Sequence, residues 1–253
     1  MMLGRTHMGI GAIAAVVATP FILGTRWETL RRLGNGHWGH LPHMLVAQAV
    51  LVAAAVVGSL LPDLDQSDST MSHKIEVIGQ GVIMAMLACA VLILHLQTSV
   101  TAWVAAMLLG WLMGARNNVA RKVGLAVPGA GLVYLAWDKE IPLLAAGCLV
   151  AWVVGAMLTK HRTFTHSLIG LGLFVVGVHL SLHGLAHLHA RDAAAGLILG
   201  YALHLVADGV AGGVPLLWPW GQRFGVRLVK TGGGMDHLLS GITMFGFIAL
   251  AIW

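Results

Sequence analysis

Charged residues are scarce in this chain of 253 residues: Asp, Glu, Lys and Arg together make up 10% of it. A soluble domain carries roughly a quarter of such residues, and a water-soluble protein of this size would not cover its surface with so few. Hydrophobic residues make up 58% of the chain. The composition excludes an ordinary cytosolic enzyme, a disordered chain and a secreted disulfide scaffold, and it indicates a multi-spanning helical membrane protein.

Cysteine is rare as well. Cys89 and Cys148 lie inside apolar runs and have no Cys-x-x-Cys partner, so we expect neither a thiolate zinc site nor a disulfide framework. The net charge is +5, but the chain has no run of Lys and Arg and no aromatic RNA-binding signature. We therefore expect no nucleic-acid partner and expect the excess positive charge to lie in cytoplasmic loops.

Long apolar runs dominate the rest of the chain, and about 20 such residues cross a bilayer. They predict an all-α fold, a polytopic membrane helical bundle with about nine transmembrane segments, in a single membrane domain over 1–253. The segments are 8–23, 41–61, 75–96, 99–114, 123–137, 141–158, 167–188, 193–212 and 237–253. The fifth contains Pro128, Gly129 and Gly131, so a short, broken or re-entrant segment is the alternative there.

The loops between these segments alternate between two faces of the membrane. Face A comprises the N-terminus and the loops 62–74, 115–122, 159–166 and 213–236, and it holds ten of the fifteen Lys and Arg residues. The positive-inside rule therefore predicts that face A and the N-terminus are cytoplasmic and that the C-terminus is on the opposite side.

His204 and Asp208 form the best-placed polar pair. Their spacing of four puts both side chains on one face of a helix, in the second half of an apolar segment. An ionised Asp there costs roughly 2.5–3.5 kcal/mol unless something compensates. A divalent metal held by imidazole and carboxylate would compensate; a helix-packing hydrogen bond between the two residues is the alternative.

Asp63 and Asp65 follow the second segment, after Pro62 ends it. Residues two apart in extended chain point the same way, and two carboxylates on one side suit one or two cations. The alternative is a solvated acidic loop.

A third cluster lies in 160–167. His161 and His166 are five apart, so they share a site only if the chain bends between them, and Thr165 as a helix N-cap would make that bend. Arg162 is able to hold a phosphate or carboxylate in a bidentate manner. The alternative is a juxtamembrane loop with interfacial histidines and a snorkelling Arg.

Two further candidates lie at helix starts: His7 enters the first segment and Asp236 opens the last, where structural roles are the alternatives. All of these clusters fall on face A, although each is found without reference to sidedness. That coincidence favours one convergent site at the cytoplasmic membrane surface, rich enough in His and Asp to require a metal.

In their order, these motifs resemble the inner-membrane metal-dependent hydrolase family of bacteria and archaea, one branch of which is described as LexA-regulated. The matching features are His7, Leu-Pro-Asp-Leu-Asp over 61–65 with Ser69, the stretch 161–167, Gly-Tyr-x-x-His-x-x-x-Asp over 200–208 and Gly-Val-Pro-Leu-Leu-Trp-Pro over 213–219. The resemblance implies a hydrolase in the inner membrane. Its ligand pattern is similar to those of zinc-dependent phospholipase C and the zinc nucleases, which suggests phosphoester hydrolysis.

With the resemblance, the residues divide into roles. The expected metal ligands are His7, Asp63, Asp65, His161, His166, His204 and Asp208, with Asp236 ranked lower. The expected cofactor is one to three divalent ions, Zn²⁺ first and Mn²⁺ or Mg²⁺ as alternatives. Arg162 and Arg5 are expected to bind phosphoryl oxygens, and Asp65 is alternatively the general base. The expected substrate is a membrane lipid or a lipid-linked phosphoester.

The chain departs from the family pattern in places. Thr163 stands where the family has Gly, and 209–212 lacks the usual Thr. The motifs occupy a core of 1–74 and 160–253, and 75–159 reads as an insertion of about four helices that adds a lipid-facing wall or an oligomer surface.

A second set of histidines lies on the opposite face: His37, His40, His43, His179, His183, His187 and His189. Interfacial or packing roles explain them, but they leave a metal-ion or proton-coupled transporter as the alternative function. A transporter needs a polar path between the faces, and the eighth segment offers only Tyr201 beyond His204, which favours the hydrolase.

Overall fold

The computed structural model describes residues 3–28, 41–65, 70–114, 119–160, 162–182, 189–226, 228–230 and 232–252. These ranges contain nine α-helices: α1 Gly4–Ile22, α2 Leu41–Gly58, α3 Thr70–Ile93, α4 Val100–Gly114, α5 Val119–Trp137, α6 Leu143–Leu158, α7 Leu168–Ser181, α8 Ala190–Ala211 and α9 Gly234–Ile252. A 3₁₀ turn, Leu61–Asp65, follows α2. The predicted all-α bundle of about nine segments is confirmed.

The bundle has the apolar exterior of a membrane protein. By length and composition, α1, α3, α5, α8, α9 and the segment His43–Asp65 are suited to cross a membrane, and α4, α6 and α7 are shorter apolar helices. Large apolar side chains such as Phe21, Trp137 and Phe245 are exposed on the outer surface. Such a surface would be unfavourable in water and suits contact with lipid.

Two segments differ in detail from the sequence expectation. The fifth is one continuous helix, Val119–Trp137, that runs through Pro128, so it is neither broken nor re-entrant. The seventh was expected over 167–188, but α7 ends at Ser181, and 183–188 lie outside the described residues. Ser167 is its N-cap, because its hydroxyl accepts a hydrogen bond from Gly170 N at 3.1 Å; Thr165 does not fill this role.

The helices alternate in direction, so their ends collect at two ends of the bundle. At the end that carries the 3₁₀ turn, here called the turn end, Leu3 N donates to Asp236 Oδ2 at 2.8 Å. At the other end, Trp27 Nε1 donates to Leu250 O at 2.9 Å. The first and last described helices therefore run in the same direction, as an odd number of alternating segments requires.

Close packing of α2 against α8 brings the end of α2 beside the middle of α8. A Cβ on Gly58 would overlap the backbone of Leu197, and one on Gly200 would overlap the carbonyl of Ala55. Small residues of this kind allow helix backbones to approach closely inside a membrane. The approach places the carbonyl of Ser59, directly after α2, against His204.

The main hydrophobic core lies beneath the turn. It contains Leu64, Leu125, Trp152, Val153, Ala156, Phe164, Phe174, Tyr201 and Leu205. Leu125 and Trp152 belong to 75–159, so helices of the proposed insertion share a core with the segments that carry the motifs.

Candidate metal centre

Five side chains from four parts of the chain converge at the turn end. They are His7 of α1, Asp63 of the 3₁₀ turn, His166 of the loop before α7, and His204 and Asp208 of α8. All five are buried, and His166 has no exposed surface. The rings of His7 and His204 stack with their centroids 3.9 Å apart. The structure thus brings together five of the residues that the sequence predicts as metal ligands.

The donor atoms of these side chains are close enough to share a cation. His204 Nε2 is 3.3 Å from His166 Nε2, and His7 Nε2 is 3.3 Å from Asp208 Oδ1. The Nε2 atom of His166 lies 3.6 Å from both Asp63 Oδ1 and Asp208 Oδ2. Two nitrogen ligands of a tetrahedral Zn²⁺ are roughly 3.3 Å apart, given metal–nitrogen bonds of ~2.0–2.1 Å. The observed spacings are close to that value.

The cluster divides into two overlapping groups. His7, His204 and Asp208 form one, and Asp63, His166 and His204 form the other; within each, the donor atoms lie within 4.8 Å of one another. His204 belongs to both groups, so the arrangement suits either one shared ion or two neighbouring ions.

The ring of His204 is oriented by a backbone contact. Its Nδ1 lies 2.7 Å from the carbonyl oxygen of Ser59, and because a carbonyl only accepts, Nδ1 is the donor. Neutral imidazole carries one N–H, so the lone pair is on Nε2, which faces the other donor atoms. Metal-binding histidines are usually fixed by a contact of this type.

A hydroxyl orients His166 in the same way. Thr165 Oγ1 donates to Asp65 Oδ2 at 2.7 Å and lies 3.1 Å from His166 Nδ1. Since that hydroxyl has already donated its proton, it accepts from Nδ1–H, which leaves Nε2 directed at the cluster. Asp65 therefore acts on His166 through Thr165.

The side chains of Asp63 and Asp65 point in different directions, so the prediction from extended chain geometry is wrong. They lie in a 3₁₀ turn, where three residues complete a full rotation, so positions two apart diverge. Asp63 faces the histidines, whereas Asp65 accepts from Thr165 and, at 3.0 Å, from Arg162 N. Asp65 thus holds the loop before α7.

The residues present fit a divalent cation. Asp63 Oδ1 and His7 Nδ1 are buried and make no hydrogen bond with the described residues, and His7 Nε2 faces Asp208 Oδ1 at 3.3 Å. Buried polar atoms without such partners are costly, and imidazole with carboxylate is a donor set that zinc prefers.

The pKa of His166, in the loop before α7, depends on the carboxylates of the cluster. Burial lowers the pKa of its imidazole, but interactions with the carboxylates of Asp208 and Asp63 outweigh burial and raise the pKa to about 9. Without a cation, a proton on His166 therefore balances part of the carboxylate charge, and metal binding would displace that proton.

Arg162 reaches the edge of the cluster. Its Nη2 is 3.8 Å from Asp208 Oδ2, and its Nε and Nη2 are buried without a hydrogen bond to the described residues. Its backbone has φ of 58°, a left-handed conformation that is uncommon outside glycine. The guanidinium therefore has donors to offer to an anion at the site.

The remaining predicted site residues lie elsewhere. Asp236 is buried and accepts from Thr6 Oγ1 at 2.7 Å, from Leu3 N at 2.8 Å and from Gly232 N at 3.0 Å, so its carboxylate joins α1 to α9. Arg5 is exposed on α1. The prediction for His161 falls outside the described residues.

Other residues hold the site and were not identified from the sequence. Tyr201 OH donates to the carbonyl of Thr165 at 2.6 Å and accepts from Trp152 Nε1 at 2.9 Å. Arg121, on α5, donates to the carbonyl of Leu64 between the two aspartates. Tyr201 and Thr165 lie inside recognised motifs, but their contacts depend on the fold, and no sequence signal marks Arg121 or Trp152.

The Gly-Val-Pro-Leu-Leu-Trp-Pro motif packs against the loop before α7. Leu216 O accepts from Leu168 N at 3.0 Å, and the ring of Trp218 packs edge-on against Phe164 at 5.5 Å. The motif thus fixes the start of α7 and contributes packing to the site.

Part of the second histidine set is visible at the far end. The rings of His43 and His189 are 4.7 Å apart, and His189 Nδ1 is 2.8 Å from Asp192 Oδ2. His179 lies in the last turn of α7. His37, His40, His183 and His187 lie outside the described residues.

Comparison with known proteins identifies relatives in bacterial inner membranes. A family model described as YdjM inner membrane protein matches residues 2–252. The inner membrane protein YdjM of Escherichia coli strain K12 and that of Shigella flexneri are each 31% identical to the chain over 132 residues. The match covers 50% of this chain and 63% of each relative, less than two thirds of their length. No solved structure matches the chain.

Proposed function

The chain belongs to the YdjM inner membrane protein family, and we propose that it is a membrane-embedded, divalent-metal-dependent hydrolase of phosphoester bonds in a lipid-type substrate. The main support is the burial of three imidazoles and two carboxylates with their donor atoms converging. Buried charges are costly unless they are paired or hold a metal. If the cluster were only a structural hydrogen-bond network, we would expect its buried polar atoms to be paired, whereas atoms of Asp63 and His7 make no hydrogen bond with the described residues.

The proposed ligands are His7, Asp63, His166, His204 and Asp208, with His161 as a further candidate. The nitrogen and oxygen donors favour Zn²⁺, with Mn²⁺ or Mg²⁺ as alternatives. When bound, such an ion supplies a Lewis acid that makes water nucleophilic near neutral pH. Asp65 is assigned a positioning role, because its carboxylate is engaged by the loop.

Arg162 is the proposed anion clamp. Its Nε and Nη2 make no hydrogen bond with the described residues and lie at the edge of the cluster, where they would bind non-bridging phosphoryl oxygens and offset the charge that develops in the transition state. Arg5 is a weaker candidate, because it is exposed on α1 and the described contacts do not bring it to the cluster.

A lipid-type substrate follows from where the site lies. The cluster is buried at one end of a bundle whose outer surface is apolar, so a substrate with an apolar tail reaches it from the bilayer. We propose that this end lies at the cytoplasmic face of the inner membrane, and the excess of Lys and Arg on face A supports this orientation.

The direct test uses the purified full chain with phosphatidic acid in phosphatidylcholine nanodiscs and with bis(p-nitrophenyl) phosphate, which has no tail. We expect hydrolysis that is lost after chelation, restored by Zn²⁺ or Mn²⁺, and absent from Asp208→Asn. Glu140→Gln, at an exposed carboxylate, serves as the control. Hydrolysis that survives in Asp208→Asn, or none in the metal-loaded wild type, would contradict the proposal.

A metal-ion or proton-coupled transporter is the second candidate. At the far end, His189 contacts both the ring of His43 and the carboxylate of Asp192, and this group supports the transporter. Roughly 22 Å of α8 separates His189 from His204, and after Arg191 and Asp192 in its first turn the helix offers Tyr201 as the one large polar side chain before His204. Metal uptake by proteoliposomes without hydrolysis would favour the transporter.

A further inference from the structure

An apolar cavity of about 510 Å³ lies beside the candidate metal centre, between α5, α6, α7 and α8. Its described lining consists of Leu, Ile, Val, Phe, Trp, Pro and Gly residues only. A cavity without polar groups does not hold ordered water and favours apolar occupants. Its volume is in the range of about 300–1,000 Å³ that is typical of ligand pockets.

The cavity is long as well as apolar. It is lined along α5 from Leu125, next to Leu64 of the turn, to Leu135, a distance of roughly 15 Å at the helical rise. An elongated apolar space of this kind fits a hydrocarbon chain better than a compact ligand.

The 3₁₀ turn separates the cavity from the metal centre. Leu61 and Leu64 line the cavity, whereas Asp63, between them, faces His166 and His204. A second connection runs through Trp152, which lines the cavity and donates to Tyr201. One molecule with a chain in the cavity and a head group at the histidines would therefore contact both sides of the same turn.

The head-group side is complementary to an anion. Arg162 presents buried guanidinium nitrogens without hydrogen bonds to the described residues, at 3.8 Å from Asp208. We propose that the cavity binds a hydrocarbon chain of the substrate, a phosphate-bearing lipid whose head group lies at the His–Asp cluster. This inference rests on the proposed function and adds to it the position of the substrate chain.

Gly131 offers a way to close the cavity. It lines the cavity on α5, and a Cβ there would meet no atom within 4 Å, so Gly131→Phe introduces an aromatic side chain into the lining without a clash at its Cβ. Gly147→Phe is the matched control, because Gly147 on α6 is equally free of neighbours but is not part of the lining. Gly131→Leu provides a milder second variant if the Phe variant folds poorly.

The probe is phosphatidic acid with a diazirine in the middle of one acyl chain, at low density in phosphatidylcholine nanodiscs that contain the full chain. After photolysis, mass spectrometry maps the labelled residues. We expect labelling of Leu132 and Leu149 in the wild type and in Gly147→Phe, and about tenfold less, or roughly 1.4 kcal/mol of binding, in Gly131→Phe. Labelling of the outward-facing Phe245 reports an intact fold and should not change.

Two arms separate the substrate chain from ordinary bilayer lipid. Arg162→Ala should reduce cavity labelling by phosphatidic acid, and a diacylglycerol probe without phosphate should label the cavity much less. Equal labelling by both probes, or labelling that persists in both Gly131 variants, would overturn the inference. The assay needs no turnover, so head-group-dependent labelling without hydrolysis would count against the proposed function alone, and hydrolysis with an unlabelled cavity would count against this inference alone.

Discussion

The guanidinium of Arg121 donates through Nη1 to the carbonyl oxygen of Leu64, with the nitrogen and oxygen 2.9 Å apart. Ser72 Oγ donates to the same oxygen at 3.2 Å. Leu64 lies between Asp63 and Asp65, so a buried cation on α5 holds the turn that carries both carboxylates.

This contact predicts that Arg121 affects metal binding without being a ligand. In Arg121→Met the turn loses its anchor, and we expect metal affinity to fall by about 10–100-fold, the usual effect of removing a group that orients a ligand. Metal titration of the purified chain measures it. Lys122→Met, at the exposed neighbouring position, should bind metal normally; equal affinities in the two variants would show that the turn holds its shape without Arg121.

The Thr165 hydroxyl should be needed to orient His166. Thr165→Val keeps the shape of the side chain but breaks the connection between Asp65 and His166 Nδ1, and we expect metal affinity to fall by about 10–100-fold. Thr163→Val removes a hydroxyl that bonds only to the Lys160 carbonyl among the described residues and provides the control. Calorimetric metal titration would detect the difference, and unchanged binding in Thr165→Val would leave the hydroxyl with no part in ordering the ring.

Arg162 should serve the reaction rather than the fold. Lys carries the same charge on a long stem but lacks the planar fork. Arg162→Lys is therefore expected to retain yield and metal content yet lose about 10²–10³ in hydrolysis rate. Lys160→Gln, in the same loop and exposed, should retain activity. Near-normal rates in Arg162→Lys would show that Arg162 supplies only a positive charge that snorkels to the membrane surface.

Sidedness is open to a separate test. With ten of fifteen Lys and Arg residues on face A, we expect a reporter fused at the N-terminus to be cytoplasmic and one at the C-terminus to be on the opposite side. The helices α1 and α9 run in the same direction, which likewise predicts that the two termini lie on opposite sides of the membrane. Reporters that are active on the same side would show that one of the nine helices does not cross.

The sequence was informative where the chemistry is local. Apolar run lengths gave the helices, and the spacing of His204 and Asp208 gave a shared helix face. It failed where the backbone conformation determines the direction of a side chain. The side chains of Asp63 and Asp65 diverge because their segment is a 3₁₀ turn. Asp236 binds α1, and Arg121 supports the turn from another helix, through contacts that no local pattern encodes.

We expect the five-residue cluster to bind a divalent cation. The most direct measurement is elemental analysis of the purified full chain beside His204→Ala and Asp192→Ala, a carboxylate at the far end of the same helix. We expect at least about one Zn²⁺, Mn²⁺ or Mg²⁺ per chain in the wild type and in Asp192→Ala, and strongly reduced occupancy in His204→Ala, which removes the ligand common to both groups. A metal-free wild type after supplementation, or full occupancy in His204→Ala, would contradict it.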